Sequence, residues 1–322
     1  MTYELDGSID AANFNGFVDD LDDVYGVGFG DSGYGQSAFT LANVAVGQLV
    51  GGDGGTAADE WGNFLNAAEV CRSHQGSVTT FPPLSEVAAV TPGTFIDAHE
   101  ASPPTSNPFD INSSIITLET NRLVADAGST TLFANALQDS RNTSWSNQLL
   151  HIFTMTFATV DDARFFFNSG GEVRIRGGRT AGDATTQNTD WTNLLIAMGT
   201  ITMNFEETTT TGSATIASIG YFDLTTSFQQ ISTVAGTGAY TSNDATIFAR
   251  TQDGPSGPNG DRGRILEFRV EYNDDHSNVF ADVVNGLIIS EVDILKATAP
   301  LTIEPAVPST ILATTTSLTA GS

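Results

Sequence analysis

The chain has 322 residues, with 12 basic and 38 acidic side chains, a formal charge of −26, 40% hydrophobic and 9% aromatic content, and one cysteine. That length and apolar content suffice for one or two packed domains, while a single cysteine excludes an internal disulfide and a thiolate zinc cluster. The acidic excess argues against nucleic-acid binding, which needs a basic stripe to displace counterions from phosphates.

Only 16% of residues are charged, so Thr, Ser, Asn and Gly must supply much of the polar surface, a composition suited to β-structure. Lys296 is the only lysine; either a salty medium or a GC-rich genome accounts for this bias. The first residues, MTYELDGSID, have neither a basic nor an apolar segment of the signal-peptide kind, so no cleavable signal is expected. Apolar stretches such as Leu194–Met198 fall far below the roughly 20 residues of a membrane helix, and no membrane partner is expected.

Phe14, Phe17, Val18, Leu21, Val24 and Tyr25 recur at helical spacing before Gly26, which predicts a first helix with Asp19–Asp23 on its solvent side. Thr56 is a candidate cap for a second helix, whose face is Trp61, Phe64, Leu65, Ala68 and Cys71 and whose end is Arg72, His74 and Gly76. Residues 1–76 are therefore expected to be helical. Prolines 82, 83, 92, 103, 104 and 108 mark residues 77–114 as a linker or arm.

From residue 115 the expectation is a β-rich domain reaching residue 299, with Leu118–Leu137 ambiguous between helix and strand. Phe153, Met155 and Phe157 alternate with smaller residues, as Leu266, Phe268, Val270 and Tyr272 alternate with charged ones. Asn285-Gly286 between Asp282–Val284 and Leu287–Ile289 predicts a hairpin. The fold class expected is α+β, mainly β: a helical N-terminal region followed by an antiparallel β-sandwich or jelly-roll-like body. Residues 300–322 are expected to form an extended C-terminal tail that adds to a neighbouring subunit, through Pro300, Leu301, Ile303, Val307, Ile311 and Leu312.

Several motifs fail in context. Gly28–Gly33 spells G-x-G-x-x-G, with Asp53 about twenty residues on, but an acidic helix precedes it where a dinucleotide site needs a buried strand. Gly30-Asp31-Ser32-Gly33 resembles a protease nucleophile loop, yet His74, His99, His151 and His276 all follow it, which is the wrong chain order. Gly254–Gly263 holds three collagen-like triplets, too few for a triple helix, and is expected to be a surface loop joining strands. No catalytic residue is assigned and the chain is expected not to be an enzyme. No cofactor is expected either, divalent cations entering only as non-specific bridges between carboxylates such as Asp19–Asp23 and Asp274-Asp275.

ARFFFNSGGEVRIRGGR, residues 163–179, gathers four of the twelve bases. Gly177-Gly178-Arg179-Thr180 lacks the lysine of a phosphate loop. The alternation of Val173 and Ile175 with Arg174 and Arg176 predicts a β-hairpin turned at Asn168–Gly171. Arg164, Arg174, Arg176 and Arg179 would then clamp carboxylates of neighbouring strands or subunits.

Taken in order, five features resemble a group of virion structural proteins of tailed bacteriophages, of the marine-phage type: Gly33-Tyr34-Gly35-Gln36; Trp61 in a helix ending at His74-Gln75-Gly76; Phe166–Gly171; Asp190-Trp191 leading to Met198-Gly199-Thr200; and Asp282–Gly286. The resemblance spans most of the chain. It implies a non-enzymatic part of the virion with a helical N-terminal region and a β-rich body. The function it implies is a symmetric oligomer in the tail, neck, baseplate or fibre region, with other copies of itself and other virion proteins as partners and contact with a host surface as a further role. A capsid decoration protein is the alternative, and a carbohydrate-binding or depolymerising receptor protein, which would show an aromatic-lined groove with a carboxylate pair, is a second.

Overall fold

The structure, a computed structural model, describes residues 11–25, 33–34, 58–75, 111–122, 129–254, 262–276, 283–297, 308, 310–313 and 319–320. The chain falls into two units: Met1–Ser129 with Asn168–Gly170 and Ala297–Pro305, and Thr130–Phe167 with Gly171–Lys296 and Ala306–Ser322. No helix among the described residues is long and apolar enough to cross a membrane.

The described part of the first unit is mainly helical. Helices α1 (Ala11–Tyr25), α2 (Ala58–Gln75) and α3 (Ile111–Thr120) bury Phe17, Leu21, Val24 and Tyr25, then Phe64, Leu65, Ala68 and Cys71, then Ile115 and Leu118. The spacing of three and four residues puts each set on one helix face. Polar atoms add direction: Tyr25 Oη donates to the Ala67 carbonyl at 2.7 Å, and Gln75 Nε2 donates to Tyr34 Oη at 3.1 Å and to the Leu118 carbonyl at 2.8 Å. Helix α3 lies across the boundary expected between a proline-rich arm and a β domain. Pro108 precedes it, and a proline before the first turn is compatible with the helix that follows because no intrahelical N–H is lost.

The second unit is a β-sandwich with two helices. Its strands are β1 (Ser129–Arg141), β2 (Asn147–Thr156), β3 (Glu172–Thr180), β4 (Thr200–Met203), β5 (Thr208–Thr210), β6 (Thr215–Ile216), β7 (Gln229–Ala235), β8 (Asp244–Thr251), β9 (Ile265–Asp274), β10 (Leu287–Ala297), β11 (Thr310–Ala313) and β12 (Thr319–Ala320). Five strands run in the order β1-β10-β3-β4-β5. Seven form the other sheet, in the order β11-β2-β9-β8-β7-β6, with β12 also on β2. The ladders between these strands whose register is defined are antiparallel. Both sheets contribute to one core, with Leu149, Phe153, Ile247, Phe268 and Val270 from one and Val173, Ile175, Ile201, Val292 and Ile294 from the other. The architecture is thus α+β and mainly β, a helical region followed by an antiparallel β body.

The arginine-rich segment is not a hairpin. Its first half is helix α4 (Val160–Asn168), started by a reciprocal cap in which Asp162 N donates to Thr159 Oγ1 at 3.1 Å and Thr159 N donates to Asp162 Oδ2 at 3.0 Å. Three consecutive phenylalanines suit a strand locally, but Ala163, Phe166 and Phe167 at positions i, i+3 and i+4 enter the core together, and the Thr-x-x-Asp cap decides for helix. Gly170, at φ 88, ends it, and β3 follows.

Asn285-Gly286 also departs from expectation. Val284 forms an isolated bridge to Trp145, while β10 pairs with β3, so this turn passes the chain between two different partners. Helix α5 (Thr186–Met198) had no counterpart in the sequence reading. Thr185 caps it by accepting from Asn188 N, and Gly199 closes it at φ 65. The helix packs against β3, β7 and β8.

The described parts of the tail are strands of the chain's own sheet: Thr310–Ala313 pair with Phe153–Thr156, and Thr319-Ala320 with Leu149-Leu150. For these residues the pairing is within the chain, where the sequence led to the expectation of a tail that adds to a neighbouring subunit. β11 and β12 occupy the edge of β2 opposite β9, so pairing within the chain satisfies backbone groups of that edge.

Candidate assembly surface and buried polar sites

The four arginines have four different fates. Arg164 turns inward: its side chain is only 2% exposed, with Nη2 3.2 Å from Asp161 Oδ1 one helical turn back and the guanidinium 4.9 Å above the Phe165 ring. Helical spacing, not strand alternation, brings about this ion pair.

Arg174 and Arg176 lie on the outer face of β3. Arg174 donates to Glu172 Oε2 at 3.0 and 2.8 Å. Arg176 donates to Glu291 Oε2 and, at 2.7 Å, to Asp293 Oδ2, because the antiparallel register sets Glu291 opposite Arg176 and Asp293 opposite Arg174. The side chain of Arg176 is 42% exposed, so this ionic patch is a surface.

Among the described residues Arg179 meets no carboxylate directly. Its Nε and Nη2 donate to the Asn285 carbonyl, and its Nη1 to the Asn188 carbonyl at 3.0 Å and to Thr192 Oγ1 at 3.1 Å. Burial lowers its pKa, with Asp183 acting in opposition. Asn285 completes the junction, its Oδ1 accepting from Asp183 N and Asn188 Nδ2 and its Nδ2 donating to Asp183 Oδ2. The sequence signal read as a hairpin turn is a clasp between α5, the end of β3 and the start of β10.

Of the tail residues, Ile311 stands opposite Met155 and Leu312 opposite Thr154, whereas Pro300, Leu301, Ile303 and Val307 lie outside the described residues, as do His99, Asp53 and most of Gly28–Gly33. Gly177–Thr180 are strand residues of β3, so they form no phosphate loop.

Three polar arrangements appear only in the fold. Asp274, 7% exposed, ends β9. Its carboxylate accepts from Gln187 Nε2 at 2.9 and 3.0 Å, Asn243 Nδ2 at 2.7 Å and Trp191 Nε1 at 3.4 Å, which anchors α5 to the sheet. Asp190, one turn along α5, accepts at Oδ1 from Thr237 N and Thr237 Oγ1 at 3.0 and 2.5 Å. Its Oδ2 lies 2.5 Å from where a Cβ on Gly236 would stand, so Gly236 must lack a side chain. Third, His151 Nδ1 of β2 lies 2.9 Å from Ser290 Oγ of β10. Both residues are fully buried, so this serine–histidine pair, built from opposite sheets, joins them across the core.

On the outer face of the seven-stranded sheet the guanidinium of Arg250 sits 4.3 Å over the Phe228 ring, and that of Arg269 sits 4.4 Å over Phe228 and 4.6 Å over Phe248. Arg250 also pairs with Glu267 and Arg269 with Glu271, so the cations are held between rings and carboxylates.

In the helical unit, Asp20, Asp22 and Asp23 all have raised pKa values, first through burial and then through neighbouring acids, Glu119 of α3 among them for Asp20 and Asp23. His74 is buried and pushed down to about 4 by desolvation. Among the described residues no group of three or more His, Cys, Asp or Glu side chains could hold a metal ion. Comparison with known proteins finds no matching family, no matching curated protein and no matching solved structure.

Proposed function

We propose that this chain is a structural component of a tailed phage particle, assembling as a symmetric oligomer in the tail, neck, baseplate or fibre region, with copies of itself and other virion proteins as partners. One observation carries the reading: three of the five motifs that resemble the virion group occupy junctions of the β scaffold. Phe166–Gly171 takes α4 into β3, Asp190-Trp191 to Met198-Gly199-Thr200 spans α5 and its passage into β4, and Val284–Gly286 leads into β10. These residues specify how a rigid body is built, which is what a particle component uses. Exposed ionic pairs such as Arg176 with Glu291 and Asp293 supply surface chemistry of the kind that orients contacts between subunits.

The test is to purify intact particles of the phage that encodes the chain and to locate it by mass spectrometry and by density at subunit resolution. The expected result is a fixed number of copies at one symmetric position. Absence from purified particles, with the chain present in the infected lysate, would overturn the proposal.

A further inference from the structure

Asparagine followed by glycine is a chemically labile pair, because glycine has no side chain to keep its main-chain nitrogen away from the asparagine amide carbon. The chain has three such pairs, Asn15-Gly16, Asn259-Gly260 and Asn285-Gly286. The last belongs to the clasp between α5, β3 and β10, and the clasp needs both of its residues. Gly286 has φ 97, and a Cβ there would stand 2.6 Å from the Ala181 carbonyl oxygen and 3.0 Å from that of Thr180, so only glycine fits. Asn285 uses both ends of its amide. Its Oδ1 accepts from Asp183 N at 2.8 Å and Asn188 Nδ2 at 3.0 Å, and its Nδ2 donates to Asp183 Oδ2 at 2.9 Å. Its main chain is held as well, N donating to Asn188 Oδ1 at 3.1 Å and the carbonyl accepting from Arg179 Nε at 2.8 Å. Among the described residues Gly286 N donates no main-chain hydrogen bond, so the nitrogen is available and the restraint lies on the asparagine.

We propose that Asn285 is a modification site: a deamidation switch that the closed clasp holds off and that, once sprung, keeps the clasp from closing again. In the reaction Gly286 N gives its proton to solvent base and bonds to Asn285 Cγ, the Cγ–Nδ2 bond breaks, and Nδ2 takes a proton from water and leaves as ammonia. Water then opens the succinimide at either carbonyl, leaving aspartate or isoaspartate at position 285. Ring closure requires the side chain and the following peptide to turn toward each other, and the hydrogen bonds on both oppose it.

The product does not fit the place it leaves. The hydrogen bond from Nδ2 to Asp183 Oδ2 becomes a contact between two carboxylates, which repel. Arg179 attracts the new charge, but its guanidinium is already taken up by the carbonyls of Asn285 and Asn188 and by Thr192 Oγ1. The groups that α5 brings to this contact, Asn188 and Thr192, are neutral. Isoaspartate also adds an atom to the main chain between Val284, bridged to Trp145, and Leu287, paired with Thr180.

The experiment incubates the full chain in mildly alkaline buffer, with and without urea, and follows each Asn-Gly pair by peptide mass spectrometry that separates Asn, Asp and isoAsp. In urea the three pairs should convert at similar rates. In the folded chain Asn285 should convert at least about tenfold more slowly than in urea, because local opening must come first. Asp183→Ala, which removes one of the bonds that hold the amide, should narrow that gap. Asn285→Asp stands in for the product. Its amides at Asp183 and at residues 287–289 should exchange about tenfold faster than in wild type, and adding Asp183→Asn should reverse this, since an amide and a carboxylate then face each other again.

A folded chain that converts Asn285 as fast as the urea-unfolded one overturns the gating. Asn285→Asp with wild-type exchange overturns the switch, as does an Asp183→Asn partner that restores nothing. If Asn285→Asp does not fold, exchange in the converted fraction of aged wild type decides instead: protection equal to that of the fresh chain overturns the switch, and faster exchange confined to the clasp supports it.

Discussion

Replacing Asp274 with alanine removes an acceptor that serves three buried donors at once: Gln187 Nε2 at 2.9 Å, Asn243 Nδ2 at 2.7 Å and Trp191 Nε1 at 3.4 Å. Those residues are 5%, 0% and 0% exposed, so water cannot readily replace the carboxylate. A buried donor left unsatisfied costs about 1–3 kcal/mol. The Trp191 contact is long and counts at the low end, which puts the total near 4 kcal/mol. For a unit of this size that corresponds to a fall in thermal midpoint of roughly 8–16 °C.

The assay is urea unfolding followed by tryptophan fluorescence, since Trp191 lies at the site. Asp274→Asn, which keeps one acceptor but turns an amide toward the same donors, is expected to lose about half as much. A double-mutant cycle with Gln187→Ala should show a coupling of at least ~1 kcal/mol. Asp274→Ala within ~1 kcal/mol of wild type would refute the reasoning, because it would mean that the carboxylate's desolvation cancels its hydrogen bonds.

In the helical unit, His74 favours its neutral form when folded, so its contribution is present above its ordinary pKa of 6.5 and is lost as pH falls toward about 4, a change of about 3 kcal/mol; a pH-dependent melt of wild type against His74→Phe should show a slope that the variant lacks. Asp22 and Asp23 work the other way: their raised pKa values make the contribution greatest below 3.8 and lost as pH rises through the folded value, so Asp23→Asn should stabilise at pH 7 by a few tenths of a kcal/mol, given solvent screening, and the gain should vanish in acid and shrink in high salt, which screens the neighbouring acids but not the burial. Gly171→Ala should destabilise by roughly 1–3 kcal/mol, because the new Cβ would stand 2.5 Å from the Phe166 carbonyl oxygen and closer still to its ring; a chemical denaturation midpoint equal to wild type would show that α4 yields instead. Arg176→Gln should change folding stability by no more than ~1 kcal/mol, its ion pairs being exposed, as calorimetry of the monomer would show.

The periodicities of α1 and α2 and the alternations of β2 and β9 were legible because each reports a single face meeting a single core: Phe17, Leu21 and Val24 at helical spacing, and Phe153 and Met155 or Phe268 and Val270 at strand spacing, are all buried as their patterns require. The outward direction of Arg174 and Arg176 and the inward direction of Val173 and Ile175 were fixed by the same period of two. Local composition failed where two signals competed. Ala163–Asn168 reads as strand by its phenylalanines and as helix by the Thr159–Asp162 cap, and only packing Ala163, Phe166 and Phe167 into one core settled it. Leu301 to Leu312 looked too apolar to lie alone, which is physically sound, but composition cannot say whose sheet covers it; for Ile311 and Leu312 the answer is β2 of the same chain.

The polar sites were beyond reach for a different reason. His151 and Ser290 are 139 residues apart, as Gln187 and Asp274 are 87 apart, and no spacing rule links positions that meet only when two sheets close. By itself the sequence determined the net charge and the faces of several elements; the tertiary structure decided which buried donors share an acceptor, because hydrogen-bond partners are chosen by where chain segments end in space and not by how far apart they are along it.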